Sequence, residues 1–401
     1  MKLTQQSIHK FFFIDKNYKH LLKYSFQRNT KNILKSLYNI IQQSFKKYNQ
    51  LFSHLPQNND FIKETNYTQN NIVYPSDFND SDFPLEVITY IKNNIINQQC
   101  YTFVANGRKI NVYIGSILHS NIDNHFVIEK ILMWLHILSH YSSHKCSQDL
   151  SIYLYMTPLK KHLPNKGEII DWIHVNSAFT RTCRPKSEIV IYRQEEWFKV
   201  FLHETFHCFG LDFSHMDETM NTVNRHMRGI FNVNVDILLF ESYTEFWAEL
   251  LNSMFFVYLD NPNLRTNYNK YCNTLEQLVN YHRVHCALTM NQILASQDIN
   301  YTMLISGKTN YKEKTNVLAY FVIKTLLFLY FNEMILFCNS KNKENLLQFS
   351  HNLETVEAFC VFIKEKHNSY LAISMISNLK NNLKNNYKNN LLQMDLYDFI
   401  F

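Results

Sequence analysis

The segment Phe201-Leu-His-Glu-Thr-Phe-His-Cys-Phe-Gly-Leu211 decides how this chain of 401 residues is read. Its His-Glu-x-x-His core sets His203 and His207 four residues apart, which on a helix is one face. Two imidazoles on one face can hold one metal ion, and Glu204 then lies beside that ion without having to bind it. Trp197, Phe198, Val200, Phe201, Leu202, Phe206 and Phe209 surround the core with apolar side chains. The polar cluster is therefore expected to be buried, and buried imidazoles and carboxylates need a compensating partner, which a metal supplies. Gly210 stands where a helix C-cap glycine belongs, so the helix is expected over 194–209.

A catalytic zinc site takes three protein ligands and leaves a fourth position open. His215 lies eight residues after His207, and a shifted loop could bring it or Asp212 near the metal. The metzincin pattern is not met, because the position three residues after the glycine is Phe213. The better source of a third ligand is Phe240-Glu-Ser-Tyr-Thr-Glu-Phe-Trp-Ala-Glu-Leu250, an apolar helical stretch with Glu241, Glu245 and Glu249 at spacings of four. The residues alone leave the choice open among these positions.

His203-Glu204-x-x-His207 followed by Glu245-Phe-Trp-Ala-Glu249 resembles the gluzincin metallopeptidases, and the glutamate string is most similar to that of the catalytic domain of anthrax lethal factor. The resemblance implies that Glu245 is the third zinc ligand and Glu249 a supporting carboxylate; Glu241, which with Glu245 satisfies the same spacing of four, is the next choice as ligand, and His215 the one after. It also implies hydrolysis of peptide bonds by a zinc-activated water with Glu204 as general base. Asn176-Ser-Ala-Phe179 resembles the segment by which thermolysin-like enzymes hold the substrate backbone, which implies substrate contacts at Asn176, Ala178 and Phe179. His203 to Ser214 also resembles uncharacterised metallopeptidases encoded by giant nucleocytoplasmic DNA viruses, and heavy use of Asn, Lys, Ile, Tyr and Phe fits an AT-rich coding genome. The alternative reading is a catalytically silent zincin-fold protein of a virion or scaffold with a structural zinc.

Only 6 glycines and 7 prolines punctuate the chain, which favours long helices with a small sheet over a sandwich or barrel. The expected fold class is α+β: a zincin-like core of small mixed sheet plus metal helix, with mainly helical N- and C-terminal regions. Residues 1–82 read as a basic helical region and linker, 83–260 as the catalytic lobe and 261–401 as a helical lobe. Within these, 57–82 reads as a loop or linker. Asn106-Gly107 signals a hairpin, 126–141 a helix, and 150–156 and 188–193 strands. Residues 211–238 read as a crossing loop, 317–338 as one buried helix, and 378–390 as an Asn- and Lys-rich tail.

Residues 1–75 hold eleven Lys or Arg against three acids, but no recognition motif accompanies the charge, which disfavours a nucleic-acid partner. The expected partner is a protein or peptide substrate. Lys324, Asn332 and Glu333 interrupt the 317–338 run, so no membrane span is expected. The eight cysteines show no Cys-x-x-Cys pair and no disulfide framework, and the first residues are too weakly apolar for a signal peptide. The expected location is therefore intracellular, cytoplasmic or virion-associated. Tyr243, His226, Tyr281, His282 and His285 are the available donors to a tetrahedral oxyanion, and the sequence does not select among them.

Overall fold

A computed structural model gives the fold of residues 2–53, 61–78, 83–117, 122–165, 167–342, 345–379 and 391–400. The order is β1 (Lys2–Leu3), α1 (Gln5–Tyr18), α2 (Arg28–Ser53), β2 (Lys63–Thr68), α3 (Leu85–Asn94), β3 (Ile95–Ala105), β4 (Arg108–Ile117), α4 (Asn124–Leu138) and β5 (Asp149–Thr157). Then come α5 (Trp172–Val175), β6 (Ala178–Thr180), β7 (Lys186–Arg193), α6 (Trp197–Cys208), α7 (Met220–Phe231), α8 (Leu239–Asp260) and α9 (Tyr268–Ser296). The chain ends with α10 (Tyr301–Ile305), α11 (Lys324–Leu329), α12 (Phe331–Lys341), α13 (Leu353–Lys366), α14 (Tyr370–Leu379) and β8 (Phe399–Ile400). Among the described residues this is a mixed α+β fold with one six-stranded mixed sheet and a short β1–β8 pair.

The sheet order is β2-β3-β4-β5-β7-β6. β4, β5 and β7 run parallel, and the outer pairs are antiparallel. The β3–β4 hairpin turns at Asn106 and Gly107, whose φ of 51° and 76° give the twist that a two-residue hairpin needs. Alternation along the central strands divides the two faces. Ile110, Val112, Leu150, Ile152, Ile189 and Ile191 enter the main core, while Tyr153, Tyr155, Val190 and Tyr192 pack on the other face with Val87 and Ile91 of α3. The main cluster also takes residues from α1, α2 and every helix from α6 to α14. β7 leads through Gln194, Glu195 and Glu196 directly into α6, so the sheet aims that helix.

Four readings of the sequence are corrected. Residues 63–68 are not linker but β2, paired with β3 from Lys63↔Thr102 to Thr68↔Asn97. As an edge strand that buries little, β2 carries almost no hydrophobic period to read. The crossing after α6 contains α7, which buries Val223, Met227, Ile230 and Phe231. The apolar stretch 317–338 is buried but broken: a π-helical turn at Leu318–Ile323 leads into α11, and the chain bends by 95° before α12. No single described helix is long and apolar enough to cross a membrane. Finally, Cys146 and Cys183 form a disulfide across 37 residues, a separation at which spacing gives no sign of pairing. Cysteine usage thus no longer argues for a reducing compartment. The Asn- and Lys-rich stretch 380–390 and residues 54–60 and 79–82 lie outside the described residues.

Gly210 follows α6 with φ +67°, and a Cβ there would meet Cys146 Sγ at 3.4 Å and Cys183 Cβ at 3.5 Å. Gly210→Ala is expected to lower stability by about 1–2 kcal/mol through the left-handed backbone alone. Urea unfolding monitored by tryptophan fluorescence checks this, and an unchanged midpoint would contradict it.

Candidate metal centre

The whole of α6 is buried, and α8 packs along it. His203 and His207 project from one face of α6 as their spacing requires, with ring centroids 4.8 Å apart and Nε2 atoms 3.1 Å apart. Glu241, from the first turn of α8, brings Oε2 to 3.2 Å from His203 Nε2 and 3.4 Å from His207 Nε2. These three side chains are buried at 7–8% exposure and their ligand atoms converge within 4.8 Å, so the group could hold a metal ion. Glu241 Oε2 itself has no hydrogen bond of good geometry, although it lies among two imidazoles. A buried carboxylate oxygen facing two imidazole nitrogens at 3.2 and 3.4 Å is compatible with a shared cation.

Each imidazole is oriented from behind by a carboxylate. His203 Nδ1 lies 2.8 Å from Glu245 Oε2, and His207 Nδ1 pairs with Asp212 Oδ2. Such pairs fix the ring and its tautomer, leaving Nε2 for the metal. The two carboxylates are held in turn. Lys199 Nζ donates to Glu245 Oε1 at 2.7 Å, while Asp212 accepts from Ser214 Oγ at 2.6 Å and Thr244 Oγ1 at 3.2 Å. Asn316 Nδ2 donates to Glu241 Oε1 at 3.3 Å.

The structure therefore places the glutamates differently from the reading that ranked Glu245 first as ligand. Glu241 occupies the Nε2 side, Glu245 the Nδ1 side, and Glu249 a further turn away, where Lys324 Nζ reaches it at 2.5 Å. The reason is the offset of α8 along α6. Lys199, one turn before His203, claims Glu245, and that register leaves Glu241 opposite the paired Nε2 atoms. A spacing of four is shared by all three glutamates, so sequence gives the face but not the offset. His215 is exposed and packs edge-on against His351 at 4.2 Å between ring centroids, away from the cluster.

Charges in this group are strongly coupled. Burial would lower His203, but the carboxylates of Glu241 and Glu245 outweigh it and push the ring up to about 9. His207 is likewise driven well above its ordinary value by Asp212 and Glu241 against the cost of burial. Burial raises Glu204 above the usual carboxylate range, with His203 and His207 pulling it back. Glu245 is held well below that range by Lys199, His203 and Lys324 despite its burial.

One cavity of about 190 Å³ opens onto the centre. It is lined by His203, Glu204, His207 and Glu241, by Val175, Asn176, Ser177, Ala178, Phe179 and Thr180 around the edge strand β6, and by Asn316, Tyr320 and Met394 opposite. The expected substrate segment and the expected base thus share a cavity. Among the described residues β6 is the last strand of the sheet, paired to β7 alone through Ala178↔Ile191, Phe179↔Val190 and Thr180↔Ile189. Tyr320 lies in the π-helical turn, its ring 6.1 Å from that of His203. None of the five oxyanion candidates lines this cavity. Tyr243 donates to Leu347 O, Tyr281 to Asp15, and His282 is paired with Ser253. Tyr320 was hidden inside an apolar run, and no periodicity announces a π-turn. Asp212 and Lys199 carried only weak signals, a five-residue and a four-residue offset from a histidine.

Two predictions arise here. Glu241→Ala should lose the metal, whereas Glu245→Gln and Asp212→Asn should keep it with affinity lowered about 10–100-fold; competition with a chelator measures this. The second concerns protons. His203, raised from 6.5 to about 9, adds stability to the metal-free chain below about pH 6.5, and this is lost as pH rises through about 9. Metal needs the neutral ring, so its sign is opposite: apparent affinity should rise with pH up to about 9 and each metal bound at pH 7 should release at least one proton. Calorimetry in two buffers of different ionisation enthalpy reads that number, and zero release would contradict it.

Comparison of the chain with protein-family models, with curated proteins and with solved structures gives no match, so the reading of this centre rests on its own residues.

Proposed function

We propose that the chain is a zinc-dependent metallopeptidase of gluzincin type, with His203, His207 and Glu241 as ligands and Glu204 as general base. The observation that carries this reading is that one cavity holds the three-residue cluster, a buried glutamate that does not belong to it, and a sheet edge that no other described strand pairs. Two imidazoles and one carboxylate suit zinc and leave a position open for catalysis. Zinc, when bound there, supplies a Lewis acid that polarises a carbonyl and acidifies water.

The protein's residues divide the remaining work. An extended peptide can pair with the N-H and C=O groups on the outer edge of β6, which sets its backbone across the cavity beside Asn176, Ala178 and Phe179. Glu204, raised by burial toward neutrality, takes the proton of the attacking water and passes it to the leaving amine. Tyr320 lines the cavity as a phenol, neutral at pH 7 like any tyrosine and kept so at higher pH by burial, so it can donate to the tetrahedral oxyanion. Glu245 with Lys199, and Asp212 with Ser214, hold the rings while charge shifts.

Glu204→Gln is expected to keep one zinc per chain and to lose cleavage of a peptide library by a factor of about 10²–10⁴. Tyr320→Phe should lower kcat by about 10²–10³ with KM changed little. Zinc bound at full stoichiometry with no Glu204-dependent turnover would overturn the peptidase reading and leave a silent protein with a structural zinc.

A further inference from the structure

Asn316 and Tyr320 reach the metal centre at the end of a stretch without regular structure. Between α10 and the π-helical turn, residues 306–316 form neither helix nor strand. Lys314 N–H donates to Ile170 O at 3.0 Å and Lys312 N–H to Gln297 Oε1 at 3.1 Å. Leu318, which opens the turn, is fully buried, and an N–H at a helix start has no carbonyl of its own helix to meet. Glu313 supplies the acceptor. Its Oε2 accepts from Leu318 N–H at 2.7 Å and from the Tyr311 hydroxyl at 2.5 Å. Tyr311 belongs to the main core, so one carboxylate ties the start of the turn to a fixed point.

Asn316 lies between the two ends of that tie. Its Nδ2 donates to Glu241 Oε1 at 3.3 Å, its O accepts from Tyr320 N–H at 2.9 Å, and its side chain also faces the Tyr320 hydroxyl. We infer that Glu313 is a positioning residue, which by joining Leu318 N–H to Tyr311 sets Asn316 against the ligand Glu241 and Tyr320 against the cavity. The inference rests on the metallopeptidase reading of the centre and extends it to a residue that does not line the cavity. Without the carboxylate, Leu318 N–H would be buried with no acceptor, a cost that the turn relieves by shifting. Asn316 and Tyr320 would shift with it. At 3.3 Å the contact between Asn316 and Glu241 is already long, so a small displacement ends it.

The test reads zinc affinity of the full-length protein by competition with a chelator, at about pH 8, above the value of about 7 to which burial pushes Glu313. Glu313→Ala should weaken zinc binding about 10-fold, as loss of a partner behind a metal ligand does. Glu313→Gln keeps an oxygen for Leu318 N–H and should retain most of the affinity. Asn316→Ala should match the loss in Glu313→Ala, and the double variant should lose no more than either, because both act on Glu241 through one contact. In peptide turnover, Glu313→Ala should lower kcat more than it raises KM, and this effect should largely vanish in a Tyr320→Phe background. Unchanged zinc affinity in Asn316→Ala overturns the inference, whether or not Glu313→Ala folds. So do losses that add in the double variant, equal losses in Glu313→Gln and Glu313→Ala, or the same effect on kcat in both Tyr320 backgrounds. Failure of the peptidase reading looks different: the zinc affinities follow the expected pattern, yet no peptide is cleaved.

Discussion

The carboxylate of Glu245, held between Lys199 Nζ and His203 Nδ1 at 2.7 and 2.8 Å, is the contact on which the arrangement of the centre depends. It is 1% exposed, so each ion in it has lost its water, a cost of several kcal/mol per ion that only close pairing recovers. At the observed offset between α6 and α8 it is Glu245, of three glutamates spaced by four, that meets Lys199 and His203. The same offset brings Glu241 to the Nε2 atoms.

Segments remote in sequence hold the helix that bears the histidines. At its start, Glu196 adopts a left-handed backbone with φ 60° and is tied to Lys161, Asp395 and Asp398. At its end, Cys183 N–H donates to His207 O at 3.2 Å, Ser147 Oγ donates to Cys208 O at 2.9 Å, and the Cys146–Cys183 disulfide lies against Gly210. Phe206, Tyr243, Phe246 and Trp247 fill the space between the two helices and their neighbours, all fully buried. A site gripped at both ends and packed along its length has little freedom to reorganise, which is what positioning of a reacting bond requires. Part of that grip comes from residues 391–398, so the chain closes on itself around the cavity.

How far these features were legible depends on the kind of signal each leaves. His203 and His207 announced themselves because a helical face is encoded in a spacing of four, and the heavy apolar flanking correctly implied burial. The Asn106-Gly107 hairpin and the strands around Leu150 and Ile189 were legible for the same reason: turn chemistry and a period of two are local. Glu241 against Glu245 was not, because the offset between two packed helices is a tertiary quantity absent from either helix alone. β2 was hidden by its polar composition and the disulfide by its long separation, whereas the helix at Met220–Phe231 carries a helical apolar period at Val223, Met227, Ile230 and Phe231 that was there to be read. Tyr320 and Met394 reach the cavity only through a π-turn and a returning tail, and neither has a sequence signature. What was hardest to read was thus what completes the site rather than what starts it.

The most direct measurement is a crystal structure of the zinc-loaded protein with anomalous data collected at the zinc edge. The account predicts one strong peak within bonding distance, about 2.0–2.2 Å, of His203 Nε2, His207 Nε2 and a Glu241 oxygen, with Glu245 still on His203 Nδ1. A peak bonded to Glu245 or His215 in place of Glu241, or no peak at these histidines, would contradict it.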